Sequence, residues 1–259
     1  MTAINSISFG ELLREWRTRR QLSQLQLATR ANVSTRHLSY LETGRSQPSR
    51  TMIERLAGHL GVPLRERNQL MHAAGLAPTY PERGLDAPES LAVSRALQSI
   101  LEAHMPFPAL LLDRWWGVVD RNAATDFLLH GCAAHLVEPP INALRLTLHP
   151  DGLASRITNL GQWRSHLLTQ VRSRAERDGD ARLHELAAEV ASYPGDDVGR
   201  PVLTDVVVPL ELRVGDAALR FFSISAAVES AMDVTVDELR IEAFYPADEA
   251  TRSIILALS

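Results

Sequence analysis

Between Phe9 and Ala74 apolar residues return at helical spacing, and polar residues suited to opening a helix stand before several of the runs. Phe9–Arg20 places Leu12, Leu13 and Trp16 on one side. Ser23 precedes Gln26 by three positions, the pattern of a capping box that opens a second helix. Ser34 opens a third, which stops at Gly44, a residue that terminates helices readily. Pro48-Ser49 starts a fourth, reaching Leu60. Gly61-Val62-Pro63 separates it from a fifth, which ends near Ala74. Five short helices are expected. Gly75, Pro78, Pro81, Gly84 and Pro88 then give a stretch of linker composition. The boundary is placed near residue 85, with a helical domain over 1–80, a linker over 81–95 and a second domain over 96–259.

The second region mixes periods. Pro108–Asp113 and Trp116–Asp120 are short apolar runs that suit a hairpin. Asn122–Gly131 and most of Asn142–Tyr193 read as helix, with Leu160, Trp163, Leu167, Leu168 and Val171 on one face. Asp205–Arg213 and Ala217–Val228 read as strands joined through a tight turn at Val214-Gly215-Asp216. Leu239–Tyr245 alternates like a further strand, and Asp248-Glu249 favour the start of a last helix. The expected fold class is an all-α five-helix domain followed by an α+β domain with an antiparallel sheet of about five strands.

Composition changes this picture in one respect. Apolar residues at 45% and charged residues at 22% are ordinary for a globular chain. No apolar run of about 18 residues suggests a membrane span. Met1–Gly10 lacks the pattern of a signal peptide. The single cysteine, Cys132, forbids an internal disulfide and suits a reducing cytoplasm. The net charge of −4, however, is unevenly distributed. Residues 1–80 hold 11 Arg against 5 acidic residues, a net of +6. The remainder holds 16 Arg against 26, a net of −10. A basic end on an acidic body points to a polyanion partner, nucleic acid in the usual case. There is no lysine, so every permanent cation is an arginine, whose planar fork suits phosphate and guanine.

The third helix is two-sided. At about 100° per residue, Thr35, Arg36, Ser39 and Tyr40 fall on one side, and Leu38 and Leu41 on the other. A helix of this kind packs its leucines inward and offers the polar side to a groove. Leu22-Ser23-Gln24, Leu27-Ala28, Val33-Ser34, Leu38-Ser39, Leu41-Glu42, Gly44-Arg45 and Pro48-Ser49 together resemble the Cro/repressor-type helix-turn-helix, or XRE family, over residues 9–74. The resemblance implies that Gln24–Thr29 is the second helix and Thr35–Thr43 the recognition helix. It implies a phosphate contact from Gln24 and base contacts from Thr35, Arg36 and Tyr40, with Ser39 on the same face. Arg45, Ser46 and Arg50 would hold the backbone. Ser34 is either a contact or simply the cap, and Tyr40 either a base reader or a rim packing residue. Arg36 is the candidate for a bidentate guanine contact.

The rest of the chain resembles the ligand-binding domain of MmyB-like transcription regulators. The resemblance rests on Pro108-Ala109-Leu110, Asp113-Arg114, Trp116, Asn122-Ala123, Leu144-Arg145, Leu148-His149-Pro150-Asp151-Gly152, Asn159 and Trp163. It continues through Leu219–Ser223, Asp233-Val234-Thr235, Glu238-Leu239 and Phe244–Thr251, with Tyr245 where the family pattern has Phe. It implies a PAS-like sheet with a cavity beneath its helices, and the few charges in those strands point to a small apolar or amphipathic ligand, such as a fatty-acid-like metabolite. The candidate ligand contacts are Trp116, Asn122, Arg145, His149, Arg220 and Phe222, with an arginine or His149 meeting any polar head. Strand aromatics and Arg145 also have plain readings as core and as an ion-pair partner.

His130, Cys132 and His135 do not have the spacing of a known metal site. No catalytic motif or cofactor loop is visible. The function expected is that of a cytoplasmic, homodimeric regulator of double-stranded operator DNA, without enzyme activity or cofactor and without a membrane role. The alternative keeps the DNA-binding head and makes the second domain an oligomerisation or protein-interaction module only.

Overall fold

A computed structural model of the chain describes residues 7–195 and 207–258. The first two residues of the strand expected from Asp205 lie outside them. The chain divides into two compact units. One comprises the chain up to Arg83 with residues 176–178 and 230–237, and the other comprises the rest.

The first unit contains the expected helices: α1 (Phe9–Arg19), α2 (Gln24–Arg30), α3 (Thr35–Glu42), α4 (Arg50–Leu60) and α5 (Leu64–Ala73). Their starts are set by side chains. Ser8, Ser23, Ser34 and Ser49 each accept a backbone N–H of the following turn. Ser8 with Glu11 and Ser23 with Gln26 close full capping boxes. Asn32 adopts a left-handed φ of 52° between α2 and α3, a conformation short polar residues tolerate. Leu13, Trp16, Leu27, Leu38, Leu41, Ile53 and Leu56 form one buried core. At Gly10 the helices meet so closely that a Cβ would lie 2.6 Å from the Glu42 carbonyl oxygen, so glycine is required there.

The second unit opens with α6 (Leu91–Ala103), a helix that sequence periodicity did not single out and that begins inside the stretch read as linker. Five strands follow: β1 (Ala109–Leu112), β2 (Val118–Arg121), β3 (Leu210–Val214), β4 (Ala217–Ala227) and β5 (Arg240–Pro246). They form one antiparallel sheet in the order β2-β1-β5-β4-β3, a PAS-like arrangement. Between β2 and β3 lie short α7 (Asp126–Leu129), α8 (Ala134–Val137) and α9 (Ala143–Leu148), then long α10 (Leu160–Asp178) and α11 (Ala181–Ala191). The segment expected to be helical from Asn122 to Gly131 is so over most of its length, a 3₁₀ turn at Ala123–Thr125 running straight into α7. A short α12 (Val234–Glu238), all but its last residue belonging to the first unit, precedes β5 in the chain, and α13 (Glu249–Leu258) follows it.

Strand alternation sorts the sheet's side chains onto two faces. Ala109, Leu111 and Leu239 pack with Leu97 and Leu101 of α6. Leu210, Leu212, Leu219, Phe221 and Phe244 face the opposite way and pack with Leu128, Leu136, Leu146 and Trp163. A cavity lies on this second face.

Candidate nucleic-acid interface and apolar cavity

In the first unit, α3 buries Leu38, Leu41 and Glu42 and exposes Thr35 and Arg36, with Ser39 and Tyr40 half-buried. The polar side expected from the wheel is therefore accessible. Arg36 Nε donates to the Tyr40 hydroxyl at 2.9 Å, and its guanidinium lies 5.3 Å from the Tyr40 ring centroid. Arg45 approaches the same ring at 6.0 Å. Tyr40 thus supports two cations at the exposed end of the helix. The Tyr40 carbonyl accepts the N–H groups of Arg45 and Ser46, which turns the chain out of α3. Arg50 donates to Thr79 and to the Ala77 carbonyl. Ser34 caps α3 through the His37 N–H.

Sequence reasoning missed the group that organises this surface from behind. The Glu42 side chain is fully buried and takes both prongs of Arg17, at 2.6 and 2.9 Å. Gln24, the expected phosphate contact, donates its amide to the same carboxylate at 2.8 Å. Burial alone would push the Glu42 carboxyl up, but the bonds from Arg17 and Gln24 hold it below the ordinary carboxylate value. A glutamate at the end of a recognition helix reads as surface in sequence. Only its spacing from Leu38 and Leu41, on the inward side, hinted at burial.

In the second unit the helix-covered face encloses an apolar cavity of about 50 Å³. On the same measure one water needs about 10–15 Å³. Leu110 and Phe244 form the sheet side, and Leu128, Leu146, Leu153 and Trp163 the helix side. The charged lining residue is Arg121, whose Nη1 binds Asp126 and the Thr125 hydroxyl.

None of the six candidate ligand residues lines this cavity. Trp116 sits at a left-handed φ of 61° in the turn before β2 and packs under Arg174, 4.9 Å away. That turn is tied by Asp113, which accepts the N–H groups of Trp115 and Gly117, and a Cβ at Gly117 would strike its carboxylate. Asn122 is buried and directs its amide inward, accepting from Ala109 N and donating to the Leu101 and Phe107 carbonyls. Arg145 forms a two-pronged pair with Glu189, and Arg220 pairs with Glu211. His149 belongs to the Pro150-Asp151-Gly152 turn and accepts the Asp151 N–H. Phe222 stacks on Tyr245 at 5.4 Å, on the opposite side of the sheet from Phe221. The cavity is instead lined mainly by aliphatic residues. Such residues read simply as core, so no sequence signal separated them from it.

Comparisons with known proteins agree with both halves. A family model described as "MmyB-like transcription regulator ligand binding domain" matches residues 93–258. A second, "Helix-turn-helix domain", matches residues 8–70. The chain is 39% identical over 82 residues to "Uncharacterized HTH-type transcriptional regulator RghRB" of Bacillus subtilis (strain 168), covering 31% of this chain and 57% of that protein. It is 38% identical over 56 residues to the "Immunity repressor protein" of Bacillus phage phi105, covering 22% and 39%. The chain thus spans less than two thirds of either relative. A solved structure titled "Structure of an RNA-binding Light-Oxygen-Voltage Receptor" aligns at a TM-score of 0.30 and 16% identity, over 96% of this chain and 62% of that one, which does not establish a shared fold.

Proposed function

The chain belongs to the MmyB-like transcription regulators, and on that premise we propose that it binds operator DNA through α3 and responds to a small molecule held in the cavity of its PAS-like unit. The observation that carries the DNA reading is the exposed polar side of α3, where Arg36 rests on Tyr40 ahead of Arg45. The arrangement suits a helix in the major groove, with Arg36 and Thr35 toward base edges and Gln24, Arg45, Ser46 and Arg50 toward phosphates. We take the working form to be a homodimer that reads an inverted repeat with half-sites about 34–36 Å apart.

The cavity supports an apolar ligand. A fatty acid is the long, charged end of that class, and a cavity of about 50 Å³ does not admit a long acyl chain without movement of its walls. α7 and α8, four residues each, are the lightest parts of the unit's helical layer. A ligand alters DNA affinity only through unequal binding to two states of the protein.

The experiment is selection of bound sequences from random duplexes by the full-length protein, with and without added apolar compounds. Enrichment of a spaced inverted repeat is expected, with affinity falling steeply as salt rises. Absence of any enriched sequence would overturn the DNA reading. An enriched site whose affinity no compound alters would favour the oligomerisation reading of the second unit.

A further inference from the structure

A residue of the cavity wall carries a polar atom with no partner among the described residues. Trp163, in the first turns of α10, lines the cavity and is only 4% exposed. Its indole Nε1 finds no acceptor among the described residues. The nearby His166 ring, 5.4 Å away, is engaged by Gln170 at 2.8 Å. A buried N–H without an acceptor is costly and rare, and indole donors inside proteins usually have a partner. Resting on the ligand reading above, we propose that the Trp163 indole N–H is the donor that reads the ligand, and that the ligand is a compact, uncharged apolar molecule presenting an oxygen acceptor, such as a ketone, ester or lactone.

The charge of the lining excludes a carboxylate as the preferred partner. Arg121 is already paired with Asp126 and Thr125. Glu242 lies on the same sheet face, opposite Leu110 but outside the lining, and adds no cation there. An anion entering here would lose its water and find no unpaired positive group at the lining. A carbonyl oxygen loses less and gains the indole donor. The indole fits a neutral acceptor for the same reason: it donates a single hydrogen bond and carries no charge.

The test uses the full-length protein and two small probes of equal shape, acetone and isobutene, in which a methylene group replaces the carbonyl oxygen, since about 50 Å³ has room for a molecule of that size. Affinities are measured for the natural protein and for Trp163→Phe. The ratio of ketone to alkene affinity is expected to fall about tenfold in the variant, the loss of one buried hydrogen bond. An unchanged ratio overturns the role of Trp163 and leaves the cavity a ligand site. Failure of both probes to bind the natural protein removes the cavity reading and the inference with it. A measurement on the natural protein covers the case of a variant that does not fold. The Trp163 indole N–H resonance, assigned from its contacts to cavity methyl groups, should move downfield with the ketone and not with the alkene. An equal response to both probes overturns the proposal. Acetate, of the same size as acetone, should bind more weakly than the ketone at neutral pH, and tighter binding would overturn the uncharged ligand.

Discussion

The two units solve opposite packing problems with similar residues. The first closes its core completely: Leu27, Leu38, Leu41 and Ile53 retain no exposure, and the chemistry stands outside on α3. The second leaves space inside, walled by leucines and a phenylalanine and by Trp163, whose indole N–H has no partner among the described residues. The contrast teaches where function can be read. A surface that reads a groove shows its residue types in the sequence, whereas a cavity differs from a core only in how far its walls stand apart.

The largest effect should come from breaking the polar group that holds the first unit closed. Glu42→Ala removes a fully buried carboxylate and strands Arg17, which is only 14% exposed in its side chain. Loss of one partner of a buried pair costs about 3–5 kcal/mol, so urea denaturation should show at least about 3 kcal/mol lost. A loss under about 1 kcal/mol, the worth of a surface pair, would end the view of Glu42 as a hub. The pH dependence has a definite sign. The folded carboxyl titrates below its ordinary value, so its contribution is complete above the unfolded value of about 4.3 and fades as pH falls through the folded one. The acid limb of the stability curve should therefore flatten in the variant.

Arg36→Ala comes next and touches the outside of the same unit. Stability should hardly change, because Arg36 is exposed and bonds only its own helix through Tyr40. Discrimination at one base pair should fall by about 1–3 kcal/mol while nonspecific binding persists. Measured on duplexes that differ at each position in turn, an unchanged preference would show that Arg36 serves only to position Tyr40 and the backbone.

A smaller change should distinguish the second unit. Ala143→Leu adds carbon to a cavity-lining position at the start of α9. Filling a void stabilises by about 0.5–2 kcal/mol, whereas the same addition in a closed core destabilises by about 1–3. Thermal unfolding should rise slightly and probe binding should disappear. A fall in stability would mean that the cavity has no room to fill.

These tests follow the line between what the chain shows and what it conceals. The five helices of the first unit were legible because each begins with a capping serine or a proline and keeps its leucines in phase. The sheet was legible from short apolar runs, from alternation in β5 and from turn residues, down to the turn at Gly215 with its left-handed φ of 58°. α6 was not, because Gly84 and Pro88 just upstream extended the linker reading over its start. The cavity residues were hidden for a different reason. Strong polar groups attract attention in a sequence, yet Asn122, Arg145 and Arg220 are already satisfied within the fold. The group left unsatisfied, the Trp163 indole, belongs to a residue that reads as core.

Arg145 gives the finest test of that distinction. In sequence it is a cation near the expected pocket, suited to a ligand's polar head. In the structure it grips Glu189 with two bonds of 2.7 Å, pinning α9 to α11. Tyr193 donates to the same carboxylate at 2.7 Å, and burial together with that bond pushes its phenol up to about 12. Arg145 and Glu189 are 46% and 38% exposed in their side chains, so water competes for both. Exposed pairs contribute about 0–1 kcal/mol. Arg145→Ala should therefore cost less than about 1 kcal/mol, the smallest effect of the series, and leave the ketone affinity unchanged. A tenfold loss of that affinity with folding intact would return the arginine to the ligand, and with it the acidic ligand that its sequence position suggested.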